Sequence, residues 1–284
     1  MKLTSAQKKA HDSAMKKKFK AAAFDIDGTL TDIRKFIMPG HLIKTLAHIP
    51  GHVPLAICTG RDIEHVQTRL QHICDAGPQT NEHRTRWFIF CENGGIGFFY
   101  DCRTQKYKKF FEIPWPNKKI TQEAMQAFLK DRLGWHAVIS IRTHSIIVHF
   151  PRPFYIFPRF INHVSKKTAS RLTKIIDEMG LSKDFSVEDS GIGSVIIPRE
   201  SGKGKAIKRW SEHLRIPIKD ILVVGDQAQK GKNDAEFLSG DYGTSFTVGA
   251  QTPSVYPLPV LDSTGKKLWG PEGTQYLLEQ IKFA

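Results

Sequence analysis

The stretch Lys20-Ala21-Ala22-Ala23-Phe24-Asp25-Ile26-Asp27-Gly28 constrains the fold of this chain more than any other. Four consecutive apolar residues suit a strand buried on both faces, as in a parallel sheet, rather than the alternating strand of a half-exposed one. The run ends abruptly in two acids, and Gly28 permits the turn that follows. Carboxylates two residues apart at a strand end point the same way. In open parallel sheets ligands bind beyond the carboxyl ends of the strands, where this pair would sit.

The same grammar recurs along the chain. Val53–Thr59 is a second apolar run. It is preceded by an amphipathic helical pattern over 40–49 and followed by another from Asp62, with Ile63, Val66, Leu70 and Ile73 on one face. Arg86–Glu92 reads as a third strand. Such alternation predicts a parallel α/β sheet of the Rossmann-like kind. Ile96–Asp101 and Tyr107–Glu112 then predict a hairpin. After Pro114-Trp115-Pro116 come a helix over 120–133, two strands (Ala137–Thr143, Ser145–Phe150), a helix (Pro158–Met179) and two more strands (Phe185–Asp189, Ser194–Pro198). That αββαββ series is a separate α+β unit. From Gly202 the alternation returns, with a helix over 204–214, a strand Ile221–Asp226, a helix over 233–239, a strand over 243–248 and a closing helix Thr274–Ile281. The predicted organisation is a basic extension (1–20) and a catalytic core (21–112 and 199–284) interrupted by an insert (113–198).

Charge narrows the partners. The chain has 284 residues and a formal charge of +14, an excess that attracts phosphate-bearing molecules. Part of it is local, because residues 1–20 carry seven lysines and a single acid, Asp12. Lysines without interleaved aromatics before Phe19 predict a solvated or helical extension rather than a specific nucleic-acid or membrane surface. The cysteines Cys58, Cys74, Cys91 and Cys102 form no metal-ligand pair such as C-x-x-C. Cys58 and Cys91 fall in apolar runs and read as buried thiols. With no secretory signal and no apolar stretch long enough to span a bilayer, a cytoplasmic protein is expected.

The segment Phe24-Asp25-Ile26-Asp27-Gly28-Thr29-Leu30-Thr31 resembles the first motif of the haloacid dehalogenase superfamily. Three further segments resemble its remaining motifs, in family order: Ala56-Ile57-Cys58-Thr59-Gly60-Arg61, Gly202-Lys203-Gly204-Lys205-Ala206-Ile207, and Val223-Val224-Gly225-Asp226 with Asn233-Asp234. The resemblance runs from Lys20 onward. It implies that Asp25 is a nucleophile and Asp27 a general acid/base. It also implies that Thr59 holds the transferring phosphoryl group and that a lysine comes from the third motif. Magnesium would be held by Asp25, the Asp27 carbonyl and Asp226, with Asp234 as a further acid. Thr59, Gly60, Arg61, Lys203, Asn233 and Arg142 are the candidate phosphate and substrate contacts. Lys203 fits the lysine position of the third motif, and Lys205 is the alternative. The insert resembles the αββαββ cap of this superfamily, whose candidate contacts are Arg142, His144, His149, Arg152 and Arg159. Taken singly, Arg142 and His144 fit the exposed face of a half-buried strand better than a substrate contact.

The combination is physically coherent. A phosphate monoester is a dianion that repels a carboxylate nucleophile, so the site needs a divalent cation and a lysine to offset that charge. A magnesium-dependent phosphohydrolase acting on a small phosphorylated metabolite, most simply a sugar phosphate, is the expectation. Some details resemble the phosphomannomutase branch: Arg34, Glu92-Asn93-Gly94, and the long spacing from Gly225-Asp226 to Asn233-Asp234. Thr59-Gly60-Arg61, by contrast, is the phosphatase form of the second motif. Residues 141–150 also keep only the first arginine of the mutase cap. Phosphatase therefore ranks first and hexose-phosphate mutase second. A non-catalytic nucleic-acid-binding protein on the same fold is a rival of another class, but every catalytic residue type is present.

Overall fold

The structure, a computed structural model, describes residues 3–32, 37–69, 85–134, 137–151, 158–191 and 193–284. Arg34, Leu70, Ile73, Cys74 and Arg152 lie outside these residues, as does the side chain of Arg159.

The chain begins with α1 (Ser5–Lys16) and β1 (Lys18–Phe19). The first half of the core follows as β2 (Ala21–Asp25), α2 (Gly40–His48), β3 (Leu55–Cys58), α3 (Ile63–Arg69) and β4 (Trp87–Cys91). The hairpin β5 (Ile96–Asp101) and β6 (Lys106–Glu112) comes next. The insert is α4 (Gln122–Leu133), β7 (Val138–Ile141), β8 (Ile146–His149), α5 (Pro158–Glu178), β9 (Phe185–Asp189) and β10 (Gly193–Pro198). The core resumes with α6 (Lys203–Leu214), β11 (Ile221–Gly225), β12 (Thr244–Thr247), β13 (Leu258–Pro259), α7 (Gly270–Gln280) and β14 (Lys282–Phe283).

Eight strands form the main sheet in the order β13-β12-β11-β2-β3-β4-β5-β6. Neighbours from β13 to β4 pair in parallel, while β5 and β6 extend the edge antiparallel. Each central strand is buried throughout, as its apolar runs require, and alternate residues fill two cores. Ala22, Phe24, Leu55, Ile57, Leu222 and Val224 meet Leu42, Leu46, Leu277 and Leu278 on one face. Ala21, Ala23, Ala56, Phe88, Phe90 and Val223 meet Ala206, Ile207 and Trp210 of α6 on the other. Each fully buried large side chain contributes about 2–3 kcal/mol. From β2 the chain runs outward through β3 and β4, and it later returns to lay β11 on the other side of β2. The sheet therefore reverses its winding between β2 and β11, the place where parallel sheets hold ligands.

The insert forms its own four-stranded antiparallel sheet, β7-β8-β10-β9. Helices α4 and α5 cover one face around Met125, Leu129, Leu172, Ile176, Ile146, Val148, Phe185 and Ile196. The αββαββ cap on a parallel-sheet core is thus observed.

Two local expectations are corrected, and one is met and extended. The basic leader is helical, as expected, and it is also docked on the core. A capping box at Thr4 and Gln7 starts α1. Gln7 then donates to the Ser254 carbonyl at 2.9 Å, and β1 pairs with β14, burying Phe19 completely. Residues 233–239 are turns rather than a helix. Gly231 and Gly240, both at positive φ, bracket a segment too short to propagate a helix, and a bridge from Lys232 to Asp189 of the insert holds its start extended. The closing helix begins four residues before Thr274, at Gly270, where Pro271 suits the first turn. No helix among the described residues is long and apolar enough to cross a membrane.

Candidate active site

The carboxyl ends of β2 and β11 bring the predicted acids together. One ligand oxygen each from Asp25, Asp226 and Asp234 lies within 4.8 Å of the others. Lys203, the first residue of α6, sends its ammonium between two of them, 2.6 Å from Asp25 Oδ1 and 2.6 Å from Asp234 Oδ1. Its side chain is fully buried and those of its partners nearly so. Lys205 is elsewhere, donating to the carbonyls of Arg199 and Ser201, so it is Lys203 that reaches the acids. Asp25 is set at the end of β2 by pairing with Cys58 of β3. Beyond it Gly28, at φ 86°, turns the chain so that its N–H reaches the Thr31 carbonyl at 2.9 Å.

The electrostatics are those of an acid cluster short of positive charge. Burial and the charge of Asp234 push the Asp25 carboxyl up to about 7, against the pull of Lys203. Burial and the charges of Asp25 and Asp234 push Asp226 up to about 9. Burial alone would lower Lys203, but Asp234 and Asp25 outweigh it and hold the ammonium charged. Asp226 Oδ1 is buried with no hydrogen-bond partner among the described residues. Three convergent hard oxygen donors with an unspent lone pair fit a small divalent cation such as Mg²⁺.

The second motif lines the adjacent rim. Thr59 is buried, and its Oγ1 accepts from the Arg61 N–H at 3.2 Å. Gly60 leaves room for Asn93, whose Oδ1 would lie 3.0 Å from any added Cβ. Arg61 grips Asp27 with both Nε and Nη2, at 3.2 and 2.9 Å to Oδ2, and touches His65. Arg61 was expected to face phosphate, and here it faces the proposed acid/base. Asn233 donates its backbone N–H to the Asp189 carbonyl at 3.3 Å, while its Oδ1 is buried and unpartnered.

The cap meets the core through polar contacts on both sides of the cluster. Arg142 donates to the Gly60 carbonyl. His144 is not on an exposed face. Its backbone N–H and the Ser145 hydroxyl both donate to Glu92 Oε2, at 2.8 and 2.9 Å, and its ring lies 3.1 Å from Glu112. The Glu92 backbone takes φ 49°, uncommon for a residue with a Cβ, and so aims that carboxylate at the cap. On the other side Asp189 accepts from Ser165, Gly191 and Lys232, while its backbone bonds residues 231 and 233. His149 lies on the helix-free face of the cap sheet, 3.3 Å from Ser140 Oγ.

Sequence reasoning missed Glu92 and Glu188 as site residues. Glu92 belongs to a segment read only as the end of a strand and as a resemblance to the mutase branch. Glu188 shows no motif, but its place in the β9 alternation turns it opposite the buried Phe185. Burial pushes its carboxyl up to about 8; Lys203 pulls it down, and Glu236 and Asp234 raise it.

Comparison with known proteins agrees with this geometry. The family model for sucrose-6F-phosphate phosphohydrolase matches residues 163–256, a span that crosses from α5 of the cap to the acid loop of the core. Phosphoglycolate phosphatase of Picrophilus torridus is 25% identical over 221 residues, covering 78% of this chain and 75% of that protein. An N-terminally truncated IMP-nucleotidase of Plasmodium falciparum superposes with a TM-score of 0.66 at 16% identity, covering 95% of this chain and 72% of that one. A haloacid dehalogenase-like hydrolase from Bacteroides thetaiotaomicron does so with a TM-score of 0.57 at 15% identity, over 84% and 91%. Four motifs in order, their convergence at the sheet's switch point and these likenesses support the haloacid dehalogenase superfamily and a site of the phosphatase type.

Proposed function

We propose that this phosphatase is a magnesium-dependent hydrolase of a small sugar phosphate and that it works through a covalent phosphate on Asp25. The observation that carries the reading is the bridge of Lys203 between Asp25 and Asp234, with Asp226 beside them. The matched relatives are named for a sugar phosphate, for phosphoglycolate and for a nucleotide. All three are phosphate monoesters of small molecules.

Asp25, Asp226 and Asp234 would hold Mg²⁺, which when bound supplies positive charge beside the phosphoryl oxygens. Lys203 orients Asp25 through a charge-assisted bond and offsets the negative charge that a dianionic substrate adds. Asp25 attacks phosphorus; the P–O bond to the alcohol breaks as the Asp25–phosphorus bond forms. Asp27 gives its proton to the departing alkoxide and takes one back from the water that hydrolyses the aspartyl-phosphate. Arg61 holds the Asp27 carboxyl in place through Nε and Nη2.

The test is phosphate release from a panel of sugar phosphates, phosphoglycolate and nucleoside monophosphates, with magnesium and with EDTA. Release with magnesium, lost both in EDTA and in Asp25→Asn, is expected. Full activity of Asp25→Asn or of the EDTA-treated protein would refute the covalent or the metal step respectively. Interconversion of hexose 1- and 6-phosphates without net release would instead favour a mutase.

A further inference from the structure

The helix-free face of the cap sheet looks toward the catalytic end of the core, and one acid on it has no structural task. Along β9, Phe185 and Val187 turn into the apolar layer under α4 and α5, and Asp189 turns to Ser165 of α5. Glu188 therefore points the opposite way. Its cross-strand neighbour Val195 pairs in turn with Ile147 of β8, and Ile147 with Ser140 of β7. The end of β9 is fixed over the site because the Asp189 N–H donates to the Gly231 carbonyl at 3.0 Å, just before Asn233 and Asp234. Gly191 in the next turn is close to Gln227, which directly follows Asp226.

Glu188 Oε2 is buried with no hydrogen-bond partner among the described residues. The lysines within electrostatic reach have other partners: Lys203 binds Asp25 and Asp234, and Lys205 binds backbone carbonyls. Glu236, also close, accepts from the Tyr242 hydroxyl at 2.9 Å. A buried carboxyl oxygen left unpaired is costly, and a ligand that supplies a donor removes that penalty. A hydroxyl suits Glu188 in either protonation state, since it can give or accept a hydrogen bond.

Building on the phosphohydrolase reading, we propose that Glu188 is a specificity residue that hydrogen-bonds a hydroxyl of the leaving group, so that the preferred substrates are phosphate monoesters of polyhydroxy compounds. Asp25 and Lys203 handle the phosphoryl end, common to all monoesters. Glu188, on the roof, reads what is attached to it.

The experiment compares the full-length wild type, Glu188→Leu and Glu188→Gln on matched esters: glycerol 1-phosphate against propyl phosphate, and glucose 6-phosphate against p-nitrophenyl phosphate. Phosphoglycolate serves as a carboxylate-bearing control. The wild type is expected to favour each hydroxylated ester over its hydroxyl-free match. Glu188→Leu should lose roughly 10- to 100-fold in kcat/KM on the hydroxylated pair members, the worth of one bond to a buried carboxyl, with hydroxyl-free esters changed less than about 3-fold. Glu188→Gln, which still hydrogen-bonds, should recover most of that loss. Equal losses on both classes would overturn the proposal, as would no loss on either or a wild-type preference for propyl phosphate or phosphoglycolate. If the wild type releases phosphate from no ester, p-nitrophenyl phosphate included, the parent reading fails first. Thermal melts of all three proteins separate these outcomes from misfolding.

Discussion

Replacing Lys203 by methionine tests the centre of the site with little change in side-chain volume. The structure gives Lys203 two charge-assisted bonds of 2.6 Å, both buried. Removing one partner of a buried ion pair costs about 3–5 kcal/mol, because the charges left behind have no solvent to turn to. Here three carboxylates remain within 4.8 Å of one another. They can relieve the strain only by binding protons. The penalty of Lys203→Met should therefore be small near pH 5 and approach its full size near pH 8. In a chain of this length about 3–5 kcal/mol corresponds to a fall in Tm of roughly 6–15 °C. Urea unfolding in EDTA at both pH values reads it, with Lys205→Met as the control. Lys205 bonds only backbone carbonyls near the surface, and its loss should stay within about 0.5 kcal/mol. Hydrolysis by Lys203→Met should fall at least about 100-fold, as when one preorganised donor is removed from a charged transition state. The reasoning is wrong if Lys203→Met lies within 1 kcal/mol of wild type at pH 8 or if Lys205→Met matches it.

Three further outcomes follow from the geometry. In the metal-free wild type, folded Asp25 and Asp226 titrate near 7 and 9, above their unfolded values, so the folded state holds more protons. Its stability should fall as pH rises from about 4 toward 9; magnesium should flatten that slope, and a urea midpoint that climbs with pH would contradict it. Lys232→Met removes the ammonium 2.8 Å from Asp189; amide exchange should quicken in β9 and residues 229–233 while β2 and β3 stay protected. Gly249→Ala would set a methyl against the carbonyl oxygen of Asp226, so the Asp226 loop must shift; we expect a loss of at least about 1 kcal/mol and weaker magnesium binding by calorimetry.

Local chemistry was the legible part of this protein. Strands buried on both faces advertise themselves as unbroken apolar runs, and Asp25, Asp27, Thr59, Lys203 and Asp226 each end, follow or start an element of the alternation those runs reveal. What stayed hidden depends on residues far apart in the chain. Glu92 serves the cap through His144 and Ser145, more than 50 positions away, and Asp189 holds Lys232 across the cap boundary. No spacing rule connects such partners. The leader's helix was legible but its docking was not, because seven lysines dominate its composition whereas the contacts rest on Gln7, Ala14 and Phe19. Residues 233–239 carry the apolar pair Phe237 and Leu238, but the positive-φ glycines on either side leave room for only about two turns.

The backbone seam between Asp189 and residues 231–233 has a thermodynamic corollary. One short peptide segment is at once the anchor of the roof and the stem of Asp234. An ion bound at Asp234 and a guest held under the roof would act on the same segment, and whatever factor one adds to the other's affinity is returned in full, since coupling free energy has no preferred direction. Ion and guest each become a probe of the other's occupancy.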